Sequence, residues 1–379
     1  MRFASLRQLV ELCGEGQTTI GRFMLAEQAA ETGVTEQEAF RQMQDYYLIM
    51  KEAVRRGIEE PVPSRSGLTG GDAPRVYAYR QNGDPALGEG PSLAMAYALA
   101  VSEVNASMGR IVATPTAGSC GIIPGVFVSS QERWGWDDEQ MVYGLFCAGA
   151  IGYVIANQSF ISGAEGGCQA EVGSAIGMAA GALTELRGGT PEQAVHAVGL
   201  AVKNSLGLIC DPVGGLVEIP CIVRNGFGAV TALAASDMAL AGVRSVIPSD
   251  EVIDVMREVG AAMPAKHRET AKGGLAQTPT GRKLMQEWLA SDGRKDMRVR
   301  SRKKESEPAG EGELQELAGK GTPPGLAGDE TPPELAGDGK LAKFAESEER
   351  LKLAGDGPFE SEASDRSRSD RMNKEGGDE

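Results

Sequence analysis

The sequence predicts an all-α protein, a body of many small-residue helices joined by glycine-rich loops, followed by a disordered C-terminal tail. Apolar residues recur at helical spacing in segment after segment, and capping signals open several of those segments. Alternating strand-type stretches are nearly absent, so helix follows helix with short links between them. The expected organisation is a helical domain over residues 1–290 and a low-complexity, charged tail over 291–379.

Taken in order, Leu6, Leu9, Val10 and Cys13 mark a first helix that runs until Gly14 and Gly16 interrupt it. A second runs from about Ile20 to Glu31 and stops at Gly33. Thr35 and Glu38 form a capping box that opens a third, whose stripe of Phe40, Met43, Tyr47, Met50 and Val54 continues to Arg56. Residues 61–90, rich in Pro, Gly, Ser and Asp, read as one long loop; its 66–72 stretch is either a plain loop or an anion-binding turn. A helix follows from Pro91. The turn Thr114-Pro-Thr116-Ala-Gly-Ser119-Cys120-Gly121 is small enough for backbone N–H groups to approach a carboxylate, or is simply a tight helix-to-helix turn.

Asp137 and Gln140 cap the next helix, whose apolar run from Gly144 to Ala156 reads as buried and too short to span a bilayer. A small-residue helix is expected over Val172–Leu186. Thr190, Pro191 and Gln193 open another that ends near Gly207. Further helices are expected over Asn225–Ala241 and from Pro248 to about Val259. Beyond Ser291 there is no Ile, Trp, Tyr or Cys, and Leu-Ala-Gly recurs at Leu317, Leu326, Leu335 and Leu353 with a nine-residue period. That repeat is too short to bury a solenoid core, so it reads as disordered.

The net charge of −15, with acidic residues in excess in both portions, lacks the footprint that phosphate backbones require; nucleic acid is not an expected partner. The N-terminal segment is charged throughout, with no secretory pattern, and no membrane association is expected. Six unevenly spaced cysteines suit a reducing cytoplasm better than a disulfide framework.

Three of the cysteines concentrate the chemistry. Cys168 follows a Glu-Gly-Gly turn, Cys210 precedes Asp-Pro, and Cys221 follows Pro220. Glycine or proline beside each lets a loop turn the sulfur inward. Spacing alone leaves four readings open: structural zinc, an iron–sulfur cluster, a redox pair with a bystander, or three unrelated core cysteines. Cys13 and Cys147 lie on apolar helical faces and read as core.

EVNASMGRIVATPTAGSCGIIPG, GCQAEVGSA, KNSLGLICDPVGGLVEIPCIVRN and HRETAKGGLAQTPTG together closely resemble the iron–sulfur-dependent L-serine dehydratases, in particular the α chain of the two-subunit form. The resemblance covers roughly Phe3 to Leu289 and leaves the tail outside it. It implies L-serine deamination to pyruvate and ammonia on a [4Fe-4S] cluster, without pyridoxal phosphate. It implies Cys168, Cys210 and Cys221 as cluster ligands, with Cys120 lining the site and one iron left open to polarise the serine hydroxyl. Thr114, Thr116, Ser119 and Asn204 would then contact substrate.

The general base is not evident. The chain has only two histidines: His196 reads as structural, and His267, with Lys203 and Glu171, is a weak candidate. Glu269 is a further polar residue in a family-like motif. The resemblance also implies a β chain as partner, completing the pocket. The competing readings are a dehydratase for another small hydroxy-amino acid and a non-catalytic metal-binding helical protein.

Overall fold

A computed structural model describes residues 1–290, all within one compact unit. The disordered tail expected over 291–379 lies outside the described residues. Among the described residues the regular elements are all helical. They are α1 (Leu6–Gly16), α2 (Ile20–Thr32), α3 (Glu36–Glu59), α4 (Asp72–Asn82), α5 (Glu89–Ala106), α6 (Ile122–Trp134) and α7 (Asp138–Gln158). The short α8 (Gly163–Gly166) precedes α9 (Cys168–Leu186), α10 (Pro191–Lys203), α11 (Cys221–Leu240), α12 (Ser249–Ala262) and α13 (Pro279–Trp288). One isolated parallel bridge pairs Cys210 with Arg268.

The capping signals act as the sequence indicates. Thr35, Asp137 and Thr190 each complete a reciprocal box with Glu38, Gln140 and Gln193, and Pro191 sits in the first turn of α10. Each such cap stabilises its helix by about 1 kcal/mol.

The core is built around α9, in which every residue from Cys168 to Thr184 is buried. It packs against α10, α11, α7 and α6. Gly173, Gly177 and Gly181 form a stripe at four-residue spacing, and a Cβ on each would meet Ser205, Val202 or Val198. Their absent side chains let α10 lie close against α9. Helix α7 is long and apolar enough to cross a membrane, the one such helix among the described residues. It is a core element here, with 61% of its apolar window buried, and packs against α2, α3 and α9.

Helix α10 ends at Lys203, short of Gly207, and three further boundaries depart from the sequence reading, two of them through distant contacts. The 61–90 stretch is not one loop: it contains α4, whose first-turn amides Asp72 N and Ala73 N donate to the buried carboxylate of Glu103, at 2.7 and 3.3 Å. Helix α9 begins at Cys168, not Val172, where Gln169 N donates to the Leu208 carbonyl at 2.9 Å. Helix α11 begins at Cys221, not Asn225, where Ile222 N donates to the Glu218 carbonyl at 3.0 Å. Two of the three expected loop thiols therefore open helices.

Candidate metal centre

The site lies where the N-termini of α9 and α11 meet the link that carries Cys210. Cys168 is the first residue of α9 and Cys221 the first of α11. Cys210 sits in extended backbone held on both sides: its N–H donates to the His267 carbonyl at 2.8 Å, and its carbonyl accepts from Glu269 N at 2.9 Å. Glu171 stands three residues beyond Cys168 on α9, which places both side chains on one helical face. Cys168 Sγ, Cys210 Sγ and a carboxylate oxygen of Glu171 lie within 4.8 Å of one another, and all three residues are buried. Cys221 is also buried but stands outside that closest trio.

All six cysteines are free thiols. The Cys168 thiol is drawn below its ordinary value, first by a hydrogen bond from Cys210 and then by the guanidinium of Arg224, despite burial. Cys210, the donor of that bond, is correspondingly pushed up. Burial, followed by the charges of Cys168 and Glu171, pushes Cys221 up. Burial raises the Glu171 carboxyl as well, against the hydrogen bonds from Thr116 and the Gly118 amide. Cys120 is buried against the same carboxylate and rises to about 12, chiefly through burial. Cys13 and Cys147 are buried core residues, as their helical faces indicate.

The 114–121 turn meets Glu171 as a carboxylate-binding turn. Thr116 Oγ1 donates to Glu171 Oε1, and Ser119 Oγ lies 3.3 Å from Thr116 Oγ1 while donating to the Thr114 carbonyl at 3.0 Å. A Cβ at Gly118 would collide with the Glu171 carboxylate, so the carboxyl in its present place needs the glycine. Gly163 also borders the trio: a Cβ there would stand 2.8 Å from Cys210 Sγ and 3.4 Å from Glu171 Oε2, pressing on the sulfur. The buried Asn225 joins turn to helix, accepting from Gly121 N at 2.9 Å and donating to the carbonyls of Gly118 and Cys221 at 2.7 and 2.8 Å.

The structure thus brings Thr116, Ser119, Glu171, Cys168 and Cys210 together, with Thr114 behind the turn. Thr114 lines a separate, largely apolar cavity of about 580 Å³. His267 reaches the site through its backbone, and its ring lies over Gly273 with Nδ1 buried and unpaired among the described residues. Asn204 is exposed and lines a cavity of about 440 Å³ with Arg224 and Phe227. Lys203 is not brought to the thiols: its Nζ donates to Ser245 Oγ at 2.8 Å. Ser245 lines another cavity, of about 920 Å³, with His196 and Arg244.

Sequence reasoning missed Arg224, Asp211 and Glu218. Arg224 Nη1 donates to Cys168 Sγ at 3.1 Å, and Nη2 pairs with the buried Asp211 at 2.9 Å. Glu218 Oε2 accepts the hydroxyls of Ser66 and Thr69 at 2.7 and 2.9 Å. The 66–72 stretch is therefore an anion-binding turn whose anion belongs to the protein. The position of Arg224, one turn beyond Cys221, was the one local signal in the sequence.

Two sulfurs and a carboxylate at this separation, with a third buried thiol beside them, form a donor set able to hold a metal centre. Soft donors dominate it, and no histidine joins the trio.

Residues 15–276 match the family described as serine dehydratase alpha chain. The chain is 51% identical over 282 residues to the probable L-serine dehydratase alpha chain of Bacillus subtilis, covering 74% of this chain and 94% of that one. It is 41% identical to the L-serine dehydratase alpha chain of Peptoniphilus asaccharolyticus, covering 75% and 97%. The L-serine dehydratase of Streptomyces coelicolor is 43% identical, over 71% of this chain and 59% of that longer protein. The match takes in the first turns of α9 and α11 and the Cys210 link alike, and the chain belongs to the serine dehydratase alpha chain family.

Proposed function

We propose that this chain is the cluster-bearing subunit of an L-serine dehydratase that converts L-serine to pyruvate and ammonia. The observation that carries the reading is the buried convergence of Cys168, Cys210 and Glu171, with Cys221 beside them, in a chain of this family. The donor set fits a [4Fe-4S] cluster held by Cys168, Cys210 and Cys221, because three thiolates would ligate three of its four irons and leave the fourth without a protein sulfur. When bound, such a cluster supplies one open Lewis-acidic iron that polarises the serine hydroxyl as a leaving group.

The chain's own residues do the rest. Thr116, Ser119 and the Gly118 amide form the polar wall opposite the sulfurs and orient the Glu171 carboxyl. Glu171 Oε2, on the Cys210 side, is the atom placed to take a proton from substrate and hold it. Burial under the 114–121 turn excludes bulk water from that exchange. Asn204 is too exposed for a place in this inner wall and belongs with the cavity beside Arg224. A β chain completes the pocket, in keeping with the α-chain relatives, and the enzyme works in the cytoplasm.

The test is anaerobic iron and sulfide analysis with an ultraviolet–visible spectrum on wild type and on Cys168→Ala, Cys210→Ala and Cys221→Ala. Pyruvate release from L-serine is then assayed with the β chain present. Four-iron content that is lost in each variant but kept in Cys13→Ala and Cys147→Ala is expected. Zinc in place of iron, or iron indifferent to these cysteines, overturns the reading.

A further inference from the structure

Arg224 makes contacts that no other side chain of the site makes. It sits one helical turn beyond Cys221 on α11. Its Nη1 donates both to Cys168 Sγ, at 3.1 Å, and to the Ile209 carbonyl, at 2.9 Å. Its Nη2 donates to Asp211 Oδ1 at 2.9 Å. One guanidinium therefore touches the α9 cysteine and both neighbours of Cys210, while its own helix carries the third cysteine.

The anchor for this fork is itself fixed. Asp211 is 2% exposed, and its second oxygen accepts from Leu275 N at 2.7 Å. Gly274 leaves the space that the carboxylate occupies, since a Cβ there would press on it. A buried ion pair with every oxygen engaged is rigid, and the planar fork of arginine cannot be reproduced by the single ammonium of lysine.

We infer that Arg224 is a positioning residue for the metal centre. It holds the Cys168 sulfur in ligating geometry and, through a fixed positive charge and an N–H···S hydrogen bond, raises the reduction potential of the cluster. The inference rests on the iron–sulfur reading of the three thiols. Hydrogen bonds to sulfur and local charge set the potentials of such clusters, and a cation against a ligand sulfur favours the more negative, reduced state. A purely structural ion pair between Arg224 and Asp211 would support the fold without moving that potential.

The experiment compares anaerobically purified wild type with Arg224→Gln, Arg224→Lys and Asp211→Asn. Far-ultraviolet circular dichroism checks the helices, and iron release to a chelator and a redox titration followed by electron paramagnetic resonance are the readouts. Arg224→Gln is expected to release iron faster, by about 10- to 100-fold if the affinity usually lost with a residue that orients a metal ligand is expressed in the release rate. It is also expected to titrate at a more negative potential. Arg224→Lys, which keeps the charge and loses the fork, should recover most of the potential while still releasing iron faster than wild type. Asp211→Asn should release iron faster without the negative shift.

Wild-type release and potential in Arg224→Gln overturn the inference, as does faster release at an unchanged potential. If that variant fails to fold, Arg224→Lys and Asp211→Asn decide it by the same readouts, and wild-type iron release in both overturns it. A wild type that holds no iron–sulfur cluster overturns the underlying reading and this inference together. A loaded wild type with indifferent variants overturns this inference alone.

Discussion

Glu171 stands at the meeting point of two demands. It lies among sulfurs close enough to share a metal with them, and it is the carboxyl proposed to take the substrate proton. The two roles predict different losses. Glu171→Gln keeps the size of the side chain and an oxygen for Thr116 to donate to, while removing the charge. A proton-handling role predicts that kcat falls by about 10²- to 10⁴-fold, the usual contribution of a positioned acid or base, with iron content at the wild-type level. Steady-state kinetics beside iron analysis separates the cases, because loss of iron in this variant would make Glu171 a ligand. At this scale the sequence was informative about the sulfurs and less so about their surroundings. Cysteines flanked by glycine or proline stand out in a chain, whereas Asp211 and Glu218 look like ordinary loop acids until their partners arrive from Leu275 and from Ser66 and Thr69.

Helix α9 carries the site into the middle of the molecule, and its glycine stripe sets how near α10 and α7 can come. Gly181 is the tightest position: a Cβ would collide with Ile151 Cδ1 and stand 3.0 Å from Val198 Cγ2. Overpacking of this kind costs about 1–3 kcal/mol, so Gly181→Ala should lower the chemical-denaturation midpoint of the protein. Gly149 in α7 is the contrasting case, since a Cβ there would have nothing within 4 Å. Gly149→Ala should stabilise by about 0.5–1 kcal/mol, through the lower backbone entropy of alanine. Equal effects of the two substitutions would show that helix spacing is not set by this stripe. Helices with local caps, such as those opened by Thr35, Asp137 and Thr190, were legible in the sequence. Helix α4 and the first turns of α9 and α11 were not. The leading amides of α4 and α9 are secured by Glu103 and by the Leu208 carbonyl, which lie far from them along the chain, while Glu218, whose carbonyl starts α11, has its side chain held by Ser66 and Thr69. Local pattern carries no trace of such partners.

Over the whole molecule, buried carboxyls give folding a characteristic pH dependence. Burial raises Glu103 above the ordinary 4.5, although the Asp72, Ala73 and Gly71 amides oppose the shift. Glu185 is raised in the same way, against the amides of Gly21 and Ile20. The folded state therefore favours the neutral form of each. Their contribution to stability is complete below the ordinary carboxyl value and is lost as pH rises through the raised one. A series of anaerobic melting curves should show Tm falling over that window, with a shallower fall in Glu103→Gln; an unchanged slope would remove Glu103 as a contributor. The bonding of Cys210 has a consequence of another kind. Its two backbone partners, His267 and Glu269, are translated more than fifty residues after it, at a rate of about 5–20 residues per second. While the chain is still being made, Cys168, Cys210 and Cys221 are thus in place before the segment that supplies both backbone partners of Cys210. For those seconds Cys210 lacks both of the hydrogen bonds that fix its backbone, so the folded site closes only once residues 267–269 have been made.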